Sequence, residues 1–284
     1  AAAVSPDGKY AATGAGDKTA VVWNLSWFVL QAAYVPYAVR ALAGVPVDHA
    51  WGGFVAMTAD RIPKFDDLNR MLRAATGWEI IGVEGLLPEL DFFEHLANRR
   101  FPVTWWIRTP EQLDYLAEPD LFHDLFGHVP LLMNPVFADY IAAYGRGGVK
   151  AHGLGPEALV NLTRLYWYTV EFGLIREPGG LRIYGAGILS SKGESIHCLE
   201  SAAPNRIGFD MARIMQTRYR IDSYQKTYFV IDSYAQLMDA TRPDFTPIYA
   251  GLAGRPSHPA GEVLAGDAVF NRGTGEGWAS EGDV

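Results

Sequence analysis

The run PDLFHDLFGHVP at residues 119–130 places two histidines, His123 and His128, five positions apart. Imidazole is the commonest protein ligand for a transition metal, so the pair raises the question of whether both rings can reach one ion. On a straight α-helix, positions i and i+5 are rotated about 140° from each other and lie about 7.5 Å apart along the axis, which forbids a shared metal. The helical zinc signature HExxH avoids this with an i, i+4 spacing, and the chain lacks it. Gly127 offers another route, since a glycine after helix formers is the usual left-handed residue that ends a helix. The sequence therefore predicts a short helix that starts at Pro119 and Asp120 and ends near Gly127. His128 then swings back toward His123 before Pro130 prevents continuation.

Two histidines alone make a weak site, and a third ligand is needed. Cys198 is the only cysteine, so neither an intrachain disulfide nor a thiolate cluster is possible and any metal must rest on histidine and carboxylate. Glu171 stands alone among aromatic, β-branched and apolar neighbours in LYWYTVEFGL, on a helix predicted over 157–175. A carboxylate buried there is costly unless paired or coordinated. Two readings stay open: Glu171 is a ligand, or it faces solvent or pairs with Arg164, seven residues earlier on roughly the same face. Two neutral histidines and one carboxylate that leave coordination positions open form the facial triad of non-haem Fe(II) oxygenases. Zinc held by His₂Glu is the chemical competitor.

Such residues need a scaffold, and the periodicity supplies one. FDDLNRMLRAATG has apolar residues at helical spacing and a terminal glycine, and GPEALVNLTRLYWYTVEFGLI has a proline near the start of a long helix-forming run. The fold expected is mainly α: a single catalytic domain of packed helices with a few short strands around a metal-containing pocket. That domain is expected over 58–250. Residues 1–57 form an N-terminal segment, of which 1–24 resembles one piece of a WD40 propeller blade and 27–57 has apolar surface suited to covering the core. Residues 251–284 read as an irregular tail rich in glycine and proline, with no heptads and hence no coiled-coil route to an oligomer. A monomer is the expectation.

A formal charge of −8 on 284 residues argues against nucleic-acid or anionic-membrane partners, both of which favour basic surfaces. The most apolar stretch, WFVLQAAYVPYAV at 27–39, is too short to span a bilayer. No basic n-region or cleavage pattern marks a signal peptide, which points to the cytoplasm.

The segments RRFPVTWWIRTPEQLDYLAEPDLFHDLFGHVPLL, LYWYTVEFGL and RIYGAGILSSKGES resemble those of the pterin-dependent aromatic amino acid hydroxylases, nearest to the bacterial members that act on phenylalanine. The resemblance runs from about residue 58 to 250. It implies that His123, His128 and Glu171 hold Fe(II), and that Arg108 clamps the substrate carboxylate through two charge-assisted bonds. It places Tyr115, Pro119, Trp167, Phe172, Gly187 and Ser190 around the amino acid, with Ser190 also beside an iron-bound histidine. On composition alone, YGAGILSS is a glycine-bearing turn and strand.

For the pterin, tetrahydrobiopterin or a bacterial analogue, the resemblance implies stacking on Phe92, with Tyr166 beside it and backbone contacts from Gly85 and Leu87. Asp124 corresponds to an acidic residue near the pterin and the iron-bound water, where animal relatives carry glutamate. Leu116 stands where animal phenylalanine hydroxylases have threonine, which leaves part of the amino acid's recognition unassigned. The implied reaction is the pterin-dependent insertion of one atom of O₂ into L-phenylalanine to give L-tyrosine. Trp167 suits a phenylalanine or tyrosine substrate, tryptophan hydroxylases usually having phenylalanine there. The rival readings are another aromatic amino acid hydroxylase, a His₂Glu zinc hydrolase with Asp124 as general base, and a catalytically inactive binding protein.

Overall fold

The computed structural model of the chain describes residues 62–109, 112, 116 and 118–278 in full, together with the backbone of strands at 2–4, 10–14 and 20–24. Those three strands, β1 (Ala2–Val4), β2 (Tyr10–Gly14) and β3 (Ala20–Asn24), form an antiparallel meander. The apolar region 27–57 expected to cover the core lies outside the described residues.

Leu68 and Leu72 repeat at helical spacing and are fully buried on α1 (Phe65–Thr76). Asp66 and Asp67 in the first turn and Arg73 in the last complement the helix dipole. Gly77 then adopts φ 74°, and its N–H closes onto the carbonyls of Leu72 and Arg73, a left-handed stop that glycine takes without strain. A βαβ unit follows: β4 (Glu79–Val83), α2 (Glu89–Ala97) and β5 (Arg100–Thr104), whose two strands pair in parallel. The long helix α3 (Pro135–Leu154) begins with Asn134 as its N-cap, the side chain accepting from the amides of Val136 and Phe137, and it packs against α2. Gly155 separates it from α4 (Pro156–Tyr166).

Helices dominate, but the expectation of only a few short strands understates the rest. A five-stranded mixed sheet runs in the order β10-β8-β9-β6-β7, built from β6 (Leu174–Glu177), β7 (Gly180–Ile183), β8 (Asn205–Gly208), β9 (Thr227–Ile231) and β10 (Val269–Asn271). Every residue of the central strand β9, TYFVI, is buried, the continuous apolar pattern of a strand covered on both faces. Short helices α5 (Ala186–Leu189), α6 (Lys192–Glu200), α7 (Met211–Met215), α8 (Tyr234–Thr241) and α9 (Thr246–Leu252) join the strands. YGAGILSS thus contains a helix at 186–189 where composition suggested a strand, because Gly185 and the buried Ile188 and Leu189 seat that turn against the site-bearing helices. The segment after 250 makes few regular elements, yet it is docked: β10 adds an edge to β8, and Arg213 binds Asp267 with both side chains nearly inaccessible. Among the described residues, no helix is long and apolar enough to cross a membrane.

Candidate metal centre

Asp120 caps the helix that carries the two histidines, its Oδ1 accepting the His123 amide at 2.9 Å. Leu121 and Phe122 are α-helical, and His123–His128 continue as a π-helical turn in which the Val129 amide reaches the Asp124 carbonyl at 3.2 Å. An i→i+5 ladder widens the turn, so residues five apart are rotated from each other much less than on an α-helix and share one face. The imidazoles accordingly meet edge to face at a centroid distance of 4.8 Å, with their Nε2 atoms 3.0 Å apart. The histidines do converge, but not by the expected route. Gly127 has no left-handed φ and is buried inside the turn. A Cβ there would lie 2.8 Å from the Ala186 Cβ and 2.9 Å from its carbonyl oxygen, so glycine is needed for close approach to α5 rather than to reverse the chain.

The second element departs from expectation in the same way. Instead of running to 175, α4 stops at Tyr166 and widens into a π-helical turn over Trp167–Glu171, closed by the Phe172 amide on the Trp167 carbonyl at 2.8 Å. Both sequence segments with candidate ligands are π-helical, a form that recurs at functional sites. Glu171 ends its turn with Oε1 3.2 Å from His128 Nε2 and Oε2 3.7 Å from His123 Nε2, and the Gly187 amide also donates to this carboxylate. The alternative pairing with Arg164 does not occur, since Arg164 Nη1 donates instead to Ser257 Oγ and the Met215 carbonyl.

Protonation favours ligation. Burial drives His123 down to about 4, with Glu171 opposing the shift and His128 reinforcing it, so the ring is neutral near pH 7. Its Nδ1 lies 2.8 Å from Ser190 Oγ, and donation there leaves the Nε2 lone pair facing His128 and Glu171. Burial opposes the charge on Glu171, but His128 and His123 outweigh it and hold the carboxyl below its ordinary range. Asp124 is a second carboxylate within 4.8 Å of both imidazoles. Its Oδ2 accepts the amide and hydroxyl of Thr104, at 2.8 and 2.9 Å, from the end of β5. Burial raises it to about 7, with His128 and Thr104 acting the other way.

Arg108 is buried beside this cluster and is already forked. Its Nε and Nη2 bind Asp120 Oδ2 and Oδ1 at 3.1 and 2.8 Å, and Nη1 reaches the Ser190 carbonyl at 2.5 Å. Of its five N–H groups, two have no partner among the described residues. Ser190 therefore ties the arginine to a histidine, through its carbonyl on one side and its hydroxyl on the other.

A cavity of about 520 Å³ unites these groups. It is lined by His123, Asp124, His128, Glu171, Arg108, Pro119, Trp167, Phe172, Gly187 and Ser190, and also by Gly85, Leu87, Phe92, Tyr166 and Leu116. Tyr115 lies outside the described residues. Trp167 stacks on Tyr219 at 4.3 Å and meets Phe172 at 4.9 Å, while Phe92 meets Tyr166 edge to face at 5.9 Å. Sequence reasoning missed Asp120, Thr104, Glu194, Tyr219 and Gln225. The one available signal was Asp120, an aspartate three residues before a histidine at a helix start, the N-cap position. The others come from a distant strand, a helix and loops. Gln225 Oε1 accepts the Trp167 indole N–H at 3.3 Å, and the Gln225 amide donates to the buried Glu194 at 3.0 Å.

The family model described as "Biopterin-dependent aromatic amino acid hydroxylase" matches residues 49–247. The phenylalanine-4-hydroxylase of Chromobacterium violaceum is 68% identical over 226 residues, covering 80% of this chain and 75% of the relative. That of Ralstonia nicotianae is 66% identical over 230 residues, covering 81% and 73%. Among solved structures, Chromobacterium violaceum phenylalanine hydroxylase bound to cobalt superposes with a TM-score of 0.80 at 61% identity, covering 87% of this chain and 90% of the other. The same enzyme with bound oxidized Fe(III) gives 0.79 at 60% identity, covering 87% and 88%.

Proposed function

The chain belongs to the biopterin-dependent aromatic amino acid hydroxylases, and on that premise we propose that it converts L-phenylalanine and O₂ to L-tyrosine with Fe(II) and a tetrahydropterin. The observation that carries this reading is the convergence of His123, His128 and Glu171 on the wall of an aromatic cavity that also holds Arg108. Their ligand atoms, separated by 3.0, 3.2 and 3.7 Å, fit a single ion, since donors about 2.1 Å from one metal lie about 3 Å apart when adjacent. Three such donors would leave coordination positions open for other ligands, and all three residues line the cavity. Glu171 is the preferred third ligand because Asp124 is held by Thr104.

When bound, iron and pterin supply the activation of O₂, and the protein supplies binding, orientation and exclusion of water. The two free N–H groups of Arg108 take the substrate carboxylate, with Asp120 fixing the plane of the guanidinium. Trp167, Phe172 and Pro119 enclose the substrate ring, Tyr219 and Gln225 hold the Trp167 indole in place, and Gly187 and Ser190 close the wall. Phe92 and Tyr166 provide aromatic faces and edges for the flat pterin, and Gly85 and Leu87 present backbone to its polar rim. Asp124, raised to about 7 and lining the same cavity beside the histidines, would be the group able to hold or release a proton near neutral pH once iron and pterin are bound. A monomer in a reducing cytoplasm, where the buried Cys198 stays a thiol, completes the proposal. Anaerobic loading with Fe(II), followed by phenylalanine and air, tests it. Tyrosine must form only when tetrahydropterin is added, and no tyrosine, or equal tyrosine without pterin, would refute it.

A further inference from the structure

Arginine is seldom buried without a partner of opposite charge. Arg164 on α4 is 8% exposed, and its polar contacts are the Ser257 hydroxyl at 2.8 Å and the Met215 carbonyl at 3.4 Å, with its Nε unbonded. Burial lowers the Arg164 pKa from its ordinary value and Arg218 pushes the same way, with only the Tyr219 and Tyr168 hydroxyls opposing. Arg218 too has a buried Nε without a partner. Among the described residues neither guanidinium forms an ion pair.

Arg164 lines a second cavity, of about 230 Å³, together with Asn161, Gln216, Arg255 and Ser257. A liquid water occupies about 30 Å³, so the space suits a ligand of several heavy atoms. Its walls are fixed: the His258 amide donates to the Gln216 carbonyl at 2.7 Å, and the Arg218 amide to the His258 carbonyl at 2.9 Å, pinning the turn after α9 against the run after α7. Among the described lining residues the one carboxylate, Glu157, is exposed and its Oε1 is engaged by the Gly254 amide at 2.8 Å. The described lining therefore combines two guanidinium groups, a hydroxyl and amide side chains with a single carboxylate, Glu157, which is turned to the Gly254 amide, and so carries an excess of positive charge.

We propose that this cavity is an oxyanion-binding site, distinct from the metal centre, that takes a small phosphate or carboxylate ligand between Arg164, Arg255 and Ser257. The Arg164 Nη2 group, which has no partner among the described residues and unlike Nε is not sealed from solvent, matches either ligand class, and partial burial strengthens the contact. Arg164 lies two helical turns before Glu171, so the ligand also anchors the helix that leads to the metal.

Isothermal titration of the iron-loaded full chain, in low-salt buffer free of both anions, tests the site with inorganic phosphate in one arm and malonate in the other. Saturable 1:1 binding in either arm is expected, and the arm that saturates identifies the ligand class. Ser257→Ala and Arg255→Gln, both remote from the metal ligands, are each expected to weaken that binding about tenfold, the loss of one charge-assisted hydrogen bond. Iron content reports that each variant is folded and its metal centre intact. Absence of saturable binding in both arms, or unchanged affinity in both variants, overturns the proposal.

Discussion

Arg108 has two tasks in one guanidinium, holding Asp120 with a fork and offering two further N–H groups to the cavity. Lysine keeps the charge but cannot make both contacts, so Arg108→Lys is expected to raise the apparent KM for phenylalanine about tenfold with iron content unchanged, as steady-state kinetics and metal analysis would record. Glu194 gives a separate, pH-dependent prediction. Burial lifts it from an ordinary 4.5 to about 7, against the opposing hydrogen bonds from Tyr228 and Gln225. The folded state thus binds the proton more tightly than the unfolded chain. The contribution is complete below about 4.5 and is lost as pH rises through 7. Urea unfolding should therefore show wild type gaining on Glu194→Gln as pH falls from about 8 to about 5, and a difference independent of pH would refute the assignment. The histidines and Glu171 were legible as residue types in the sequence, since a lone carboxylate in an aromatic run calls for a partner. Glu194 and Gln225 were not, because their roles depend on a contact between α6 and the loop before β9.

At the scale of elements, a π-helical turn brings the histidines together where the sequence pointed to a reversal at Gly127, and a second one carries Glu171 where a continuous helix was expected. The i, i+5 spacing of the histidines is out of register for an α-helix and in register for an i→i+5 ladder, so the spacing itself was the overlooked signal. Helix α1, with its periodic leucines and terminal glycine, was readable because it obeys local rules alone. The π turns were not, because their widening is stabilised from outside, by α5 packed on Gly127 and by the Asp120 cap. Gly127→Ala tests this dependence. Its Cβ would lie within 3.0 Å of three atoms of Ala186, two of them backbone, so the turn or α5 must shift. The expected cost is about 1–3 kcal/mol in chemical denaturation, with reduced iron binding because His128 is the next residue. Wild-type stability together with full iron content would show that the turn has slack.

Across the whole molecule, the site draws on segments far apart in sequence: β5 supplies Thr104, the two π turns supply the candidate ligands, and α5 leads to Ser190. The mixed sheet behind them was hidden from the sequence because its strands are only three to five residues long and its central strand is wholly buried, so none shows the sustained alternation that marks a half-exposed strand. The tail after 250 is bound into the same body, and Asp267→Ala should destabilise the fold by about 3–5 kcal/mol by leaving Arg213 buried without its partner, measurable as a loss of unfolding free energy. What makes this assembly an enzyme is the metal, so the decisive measurement is the iron bound per chain after anaerobic Fe(II) loading and desalting, in wild type and in Glu171→Ala. A single Fe(II) per chain in the wild type and almost none in the variant is the predicted result. Equal iron in both, or a wild-type chain that retains zinc and rejects Fe(II), would contradict the account.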